Sequence, residues 1–257
     1  MSKTVLITGS TSGIGLATAR AFAAKGYNIV FNGLEADGAD IAAEVAAEFN
    51  AGYLFSPANM LHPAEIRQLV QSAFDRFGSI EVVVNNAGIQ HVAPLEEFPD
   101  EKWDAIIGIN LNAAFHVTKA VWSKMKEQRY GRVINISSAH GLIASPFKSA
   151  YVAAKHGIIG FTKVLALEGG PFGITANAIC PGYVHTPIVD KQIPDQMKAH
   201  DMTREQVISD VFLAEHAIKD FVSLDTIAES IIFLADNPAA ATITGIALPL
   251  DAGWTAH

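Results

Sequence analysis

The sequence predicts an α/β fold, a doubly wound parallel sheet of about seven strands with helices on both faces. Three observations predict it. Short apolar runs alternate with longer stretches of helical spacing along all 257 residues. The runs are nearly continuous rather than alternating in polarity, as strands covered on both faces require. The first run ends in a glycine-rich turn, "TGSTSGIG" at 8–15, that opens onto a helical stretch.

Taken in order, the strands are "KTVLIT" (3–8), "NIVFN" (28–32), "GYLFS" (52–56), "EVVVNN" (81–86), "RVINIS" (132–137), "TANAI" (175–179) and "IALPLD" (246–251). Between them, Ala64–Phe77 and Asp100–Lys126 carry helical spacing. Gly26, Gly78 and Gly131 each follow a helical run, where a glycine in the left-handed region stops a helix. No repeat, low-complexity tract or linker interrupts the pattern, which predicts one domain over 1–257. Residues 187–222, polar and flexible between a proline turn and the last helix, are expected to form a mobile lid.

Composition excludes several classes of function. Half the residues are hydrophobic, 17% are charged and the net charge is -8, with no basic block to neutralise nucleic-acid phosphates. The single cysteine, Cys180, forms no internal disulfide and fits a reducing cytosol. No run of 18 apolar residues suits a membrane, and "MSKTVLITGS" enters a strand too soon for a signal peptide. The expectation is a cytoplasmic protein with a small-molecule partner.

In the first turn, Gly9, Gly13 and Gly15 let backbone amides approach a diphosphate at a helix N-terminus. Their spacing is G-x-x-x-G-x-G. Tyr151 and Lys155 are four apart and project from one helix face, so an ammonium lies near a phenol that is otherwise a poor base at neutral pH. Ser138 follows the fifth strand, where its hydroxyl can orient a substrate oxygen toward that phenol.

The glycine turn, "NNAG" (85–88), Ser138, "YVAAK" (151–155) and "CPGYVHTP" (180–187) together resemble the short-chain dehydrogenase/reductase family. The resemblance covers essentially the whole chain. It implies a Rossmann-type sheet, a nicotinamide cofactor and a homotetramer. It also implies Ser138, Tyr151 and Lys155 as catalytic, with Asn110 as a proton-relay residue. The cofactor would lie against Gly9, Thr11, Ser12, Gly13, Ile14, Gly15, Leu34, Asn59, Met60, Asn86, Ala87, Gly88, Tyr151, Lys155, Pro181, Gly182, Val184 and Thr186. An NADP site needs a cation for the 2′-phosphate, and neither the glycine turn nor residues 32–40 offer one. The acid common in NAD sites is absent as well, with Asn32, Gly33 and Leu34 at the strand end. The missing cation favours NAD.

Gln90, His140, Lys148 and Gln192 would surround one small cavity, two amides, an imidazole and a cation suited to a carboxylate. "NNAGIQHVAP", "SAHGL", "KSAYVAAKHG" and "AICPGYVHTPIVDKQI" resemble the bacterial D-3-hydroxybutyrate dehydrogenases, a resemblance that gives those four residues the carboxylate. It predicts reversible NAD-dependent oxidation of (R)-3-hydroxybutyrate to acetoacetate with Tyr151 as general base, the methyl resting on Leu142, Ile143 and Tyr183. Three departures stand out: Tyr183 in place of a common tryptophan, "FLAEHAIKDFV" (212–222), and "DAG" (251–253). Two alternatives remain, a reductase of neutral ketones and a non-catalytic nucleotide sensor. His62, His91 and His200 lack metal-ligand spacing, His156 points away from Lys155, and Trp103 and Trp122 read as packing residues.

Overall fold

Valine and isoleucine are the commonest residues of the strands because a branched side chain suits a pleated surface buried on both sides. The computed structural model describes residues 2–186, 189–190, 193–194, 197–198 and 201–256. Its strands are β1 (Thr4–Ile7), β2 (Asn28–Asn32), β3 (Tyr53–Ser56), β4 (Val82–Asn85), β5 (Gly131–Ile136), β6 (Ile174–Pro181) and β7 (Ala247–Leu250). They form one seven-stranded sheet in the order β3-β2-β1-β4-β5-β6-β7, every pair parallel. Each agrees with the strand read from sequence to within two residues at either end.

Alternate residues of each strand feed two cores. On one face Val5, Ile7, Phe31 and Val84 pack with Phe22 of α1 (Gly13–Ala24), Val45 of α2 (Gly38–Phe49) and residues of the last long helix. On the other, Leu6, Val30, Val83 and Val133 pack with Leu69 of α3 (Pro63–Phe77) and Val117 of α5 (Ala113–Gln128). Leu165 of α6 (Ser149–Gly169) joins that second core. Further α-helices among the described residues are α4 (Asp100–Ile107), α7 (Arg204–Val207) and α8 (Leu224–Asp236). The stretch read as one helix from Asp100 is interrupted by a π-turn over Gly108–Asn112.

Gly26 and Gly78 stop α1 and α3 at φ 78° and 82°, as expected. Gly131 does not stop α5. Arg129 takes the left-handed position at φ 53°, and Gly131 begins β5. Its lack of a side chain serves packing, since a Cβ there would lie 2.6 Å from Met125 Sδ. No helix among the described residues is long and apolar enough to cross a membrane.

Candidate active site

The strand order reverses between β1 and β4, so the connections leave their carboxyl ends in opposite directions and open a crevice between them. A cleft of about 690 Å³ lies there. At one end Gly9 takes φ 61°, a conformation that glycine adopts without a Cβ penalty. A Cβ on Gly15 would overlap the Gly9 carbonyl oxygen and press on the Asn86 amide. Asn86 fixes this tight turn, its Nδ2 donating to the carbonyl oxygens of Thr8 and Gly9 at 3.0 and 2.8 Å. Thr8 Oγ1 in return accepts from the N–H groups of Asn86 and Ala87, both at 3.0 Å. "NNAG" is therefore a brace for the glycine turn as well as a wall of the cleft.

Gly9, Thr11, Ser12, Ile14, Asn86, Ala87 and Gly88 line the cleft, as do Leu34, Asn59, Met60, Pro181, Gly182 and Val184. Gly13, Gly15 and Thr186 do not line it. The first two shape the turn, and Thr186 Cγ2 lies 3.5 Å from where a Gly13 Cβ would stand. Glu35 and Asp37, which sequence reasoning passed over, line the cleft beside Leu34. Glu35 Oε2 accepts from the Thr11 hydroxyl, and a Cβ on Gly33 would overlap that hydroxyl. Burial pushes the Glu35 carboxyl up, but hydrogen bonds from Thr11, the main chain and Ser12 hold it below the usual carboxylate range. Asn59 Oδ1 accepts from the Leu61 N–H at 2.9 Å, which leaves one lone pair free.

At the other end Ser138 leaves β5 in an extended conformation and caps a short 3₁₀ turn over Ala139–Gly141, its Oγ accepting from the His140 N–H at 3.2 Å. Tyr151 and Lys155 lie one turn apart on α6 and both line the cleft with Ser138. Lys155 Nζ lies 5.5 Å from the Tyr151 ring centre and donates to the Ile136 carbonyl at 2.7 Å. Burial lowers the Lys155 ammonium to about 8. Burial also raises the Tyr151 phenol, against a smaller downward pull from the Ser138 hydrogen bond. The downward pull on the phenol comes from Ser138 rather than from the expected Lys155, and desolvation outweighs it.

Asn110 is buried within the π-turn and does not line the cleft. Its Oδ1 accepts from the Ile89 N–H and its Nδ2 donates to the Ile89 carbonyl, both at 2.9 Å. Its carboxamide is committed to holding the Gly88–Gln90 segment.

Gln90, His140, Lys148 and Tyr183 line the cleft together, next to Ser138 and Tyr151. Gln192 lies outside the described residues, as does part of the expected lid. Lys148 Nζ is 3.5 Å from His140 Nε2 and 3.3 Å from the Tyr183 hydroxyl. The preceding Phe147 takes φ 66°, unusual for a bulky residue, and its carbonyl accepts from the Ala93 N–H at 3.0 Å. Burial lowers Lys148 to about 8. Burial, with the nearby Lys148 charge, lowers His140 to about 3, so its imidazole is neutral.

Leu142 and Ile143, expected as an apolar wall, are not among the lining residues; Tyr183, Val189 and Trp254 are. Trp254 meets the His140 ring edge-on at 5.1 Å. The unusual "FLAEHAIKDFV" segment brings His216 beneath Tyr183. Its Nε2 accepts from the Tyr183 N–H at 3.4 Å and its Nδ1 donates to the Asp220 carbonyl at 3.0 Å. Trp254 belongs to no local motif and carried no signal beforehand, while His216 lies in a stretch that stood out as a departure without being singled out itself. His156 is exposed, bonding the Val152 carbonyl at 3.0 Å, and His62 pairs with Glu65 at 2.6 Å. His200 lies outside the described residues. No group of three metal-ligating side chains occurs among the described residues. Trp122 packs into the core beside Gly169, while Trp103 is exposed against Phe98.

The short chain dehydrogenase family model matches residues 3–197. The chain is 50% identical to D-beta-hydroxybutyrate dehydrogenase of Rhizobium meliloti, with 100% of each chain covered. It is 48% identical to the enzyme of that name from Cupriavidus necator, with 99% of this chain and 98% of the other covered. A crystal structure of a single-substitution variant of actinorhodin polyketide ketoreductase with NADPH superposes with a TM-score of 0.94 at 32% identity, covering 100% of this chain and 98% of that one. Matches of this length and identity, on a chain whose glycine turn, serine, tyrosine and lysine converge on one cleft, leave a single conclusion: the protein belongs to the short-chain dehydrogenase family.

Proposed function

We propose that the protein oxidises (R)-3-hydroxybutyrate to acetoacetate with NAD, reversibly. The observation that carries this reading is the half-buried Lys148 at the cleft wall, grouped with His140 and Tyr183 beside Ser138 and Tyr151. An ammonium drawn partly out of water seeks an anion. One methylene separates the carboxylate of a 3-hydroxy acid from its carbinol carbon, so Gln90, Lys148 and Gln192 would hold the acid, with His140 between Lys148 and Ser138, while Ser138 and Tyr151 meet the hydroxyl. The 50% and 48% identity to enzymes named for this substrate supports the same reading.

The cleft suits a dinucleotide. Its glycine turn excludes side chains where a diphosphate would approach the N-terminus of α1. Glu35 and Asp37 line the adenosine end, whereas the cations lining the described cleft, Lys148 and Lys155, stand at the opposite end. A 2′-phosphate would meet carboxylates there, which favours NAD over NADP. The free lone pair of Asn59 suits an adenine amino group. When bound, NAD supplies the hydride acceptor. Tyr151 takes the hydroxyl proton, Ser138 holds the oxygen, and Lys155 anchors the site between the Ile136 carbonyl and the tyrosine. Asn110 contributes by fixing the loop that carries Gln90.

In this reading the chain forms one domain, residues 187–222 close over the substrate as a lid, and the enzyme works as a cytoplasmic homotetramer. Comparing the acid with its ethyl ester at saturating NAD tests the central claim. The ester loses the charge, adds bulk and leaves buried donors unpaired, so the acid should win by about two orders of magnitude in kcat/KM. Equal efficiency would favour a neutral-ketone reductase, and no turnover of any hydroxyacid or alcohol would favour a nucleotide sensor.

A further inference from the structure

His140 is neutral and buried, so its imidazole carries one N–H, and its neighbours decide which nitrogen bears it. Nε2 faces two groups, the Ser145 hydroxyl at 2.9 Å and the Lys148 ammonium at 3.5 Å. An ammonium has donors only, so a proton on Nε2 would point at the protons of Lys148, and the nitrogen facing it is the unprotonated one. Its single lone pair accepts the hydroxyl proton of Ser145, the nearer of the two groups. The ring proton is left on Nδ1, which lies 3.5 Å from Ser138 Oγ. Ser138 Oγ already accepts from the His140 main-chain N–H at 3.2 Å. With both lone pairs occupied from the His140 side, the Ser138 hydroxyl proton is directed outward.

We propose that Ser145 is a positioning residue for the reaction: by donating to Nε2 it holds His140 as the Nδ1–H tautomer, which makes Ser138 a hydrogen-bond donor toward the substrate oxygen. This rests on the reading of Ser138 as the hydroxyl that meets the substrate. It separates two neighbours that are adjacent in space, since Lys148 acts on the carboxylate and Ser145 on the reacting oxygen, through His140 and Ser138.

Two measurements on the full-length protein test it. The first is the ¹⁵N spectrum of imidazole-labelled protein near neutral pH, with the His140 signals assigned among the nine histidines by difference against His140→Gln. A protonated Nδ1 and an unprotonated Nε2 are expected; a protonated Nε2 overturns the proposal. The second is steady-state kinetics on (R)-3-hydroxybutyrate with NAD. Ser145→Ala should lower kcat by about tenfold with KM within about twofold of wild type, as loss of one hydrogen bond on the path to Ser138 implies. Ser145→Thr, which keeps the hydroxyl, should restore kcat. Wild-type turnover in Ser145→Ala, or a defect that appears only in KM, overturns the role. An Nδ1–H tautomer in a protein that oxidises no hydroxyacid supports the imidazole assignment and sinks the proposed function instead. An Nε2–H tautomer in an active dehydrogenase does the reverse.

Discussion

Tyr183 lies face to face with Trp254, the ring centres 5.2 Å apart and the planes 11° from parallel. The pair joins the loop after β6 to the chain's C-terminal residues, and Trp254 also meets His140 edge-on. The wall of the proposed substrate pocket therefore depends on a residue about seventy positions beyond the loop it supports. Replacing Trp254 by Ala should raise KM for (R)-3-hydroxybutyrate by about tenfold, since an aromatic contact and its buried area are lost. Trp254→Phe keeps a ring and should stay close to wild type. An unchanged KM in the Ala variant, with circular dichroism reporting an intact fold, would remove Trp254 from the pocket.

The sheet was legible because its strands are short apolar runs between polar or glycine-rich turns, a signal that tertiary context rarely overrides. Ser138, Tyr151 and Lys155 were legible because strand end and helix turn fix their relative placement. Trp254 and His216 were not, because only the folded sheet brings them to the loop at Tyr183. Gly131 misled for a different reason. A glycine after a helix signals a stop, yet Arg129 takes the left-handed turn and Gly131 is small because Met125 presses against it. Glu35 escaped notice because an acid was sought at the end of β2, and the loop brings one back three residues later to bond Thr11.

Tyr151→Phe removes the proton acceptor and leaves the cleft's shape intact. Turnover should fall by about two or more orders of magnitude, the usual scale for a general base, while NADH binding followed by fluorescence persists. Activity within a few-fold of wild type would assign the proton to another group.

Cofactor preference should follow the carboxylates at the adenosine end. Wild-type kcat/KM is expected to be far higher with NAD than with NADP. Glu35→Gln removes one negative charge facing a 2′-phosphate, and Leu34→Arg, at an exposed position on the same wall, adds a positive one. Each should move the NADP/NAD ratio upward, by about tenfold or more for the arginine. A ratio unmoved by both changes, or equal use of the two cofactors by the wild type, would place the 2′ position elsewhere.

The pH dependence should divide between kcat and KM because two partly buried groups act in opposite directions. Tyr151 accepts a proton, and burial raises its phenol, so kcat for oxidation should climb as pH rises and the phenolate becomes accessible. Lys148 must be charged to hold a carboxylate, and burial lowers its ammonium to about 8. It is cationic below that value and loses its proton above it, so KM for the hydroxyacid should be flat at lower pH and rise beyond about 8. A bound carboxylate favours the charged form, so the kinetic break in the complex should lie at higher pH than in the free enzyme. Lys148→Ala should show a high KM throughout with the break in KM removed, while kcat keeps its rise. Lys148→Arg, charged at every pH tested, should also lose the break. If the wild-type KM stayed flat across this range, or if the break survived in Lys148→Ala, the carboxylate would be held by some other group and the assignment of Lys148 would fail.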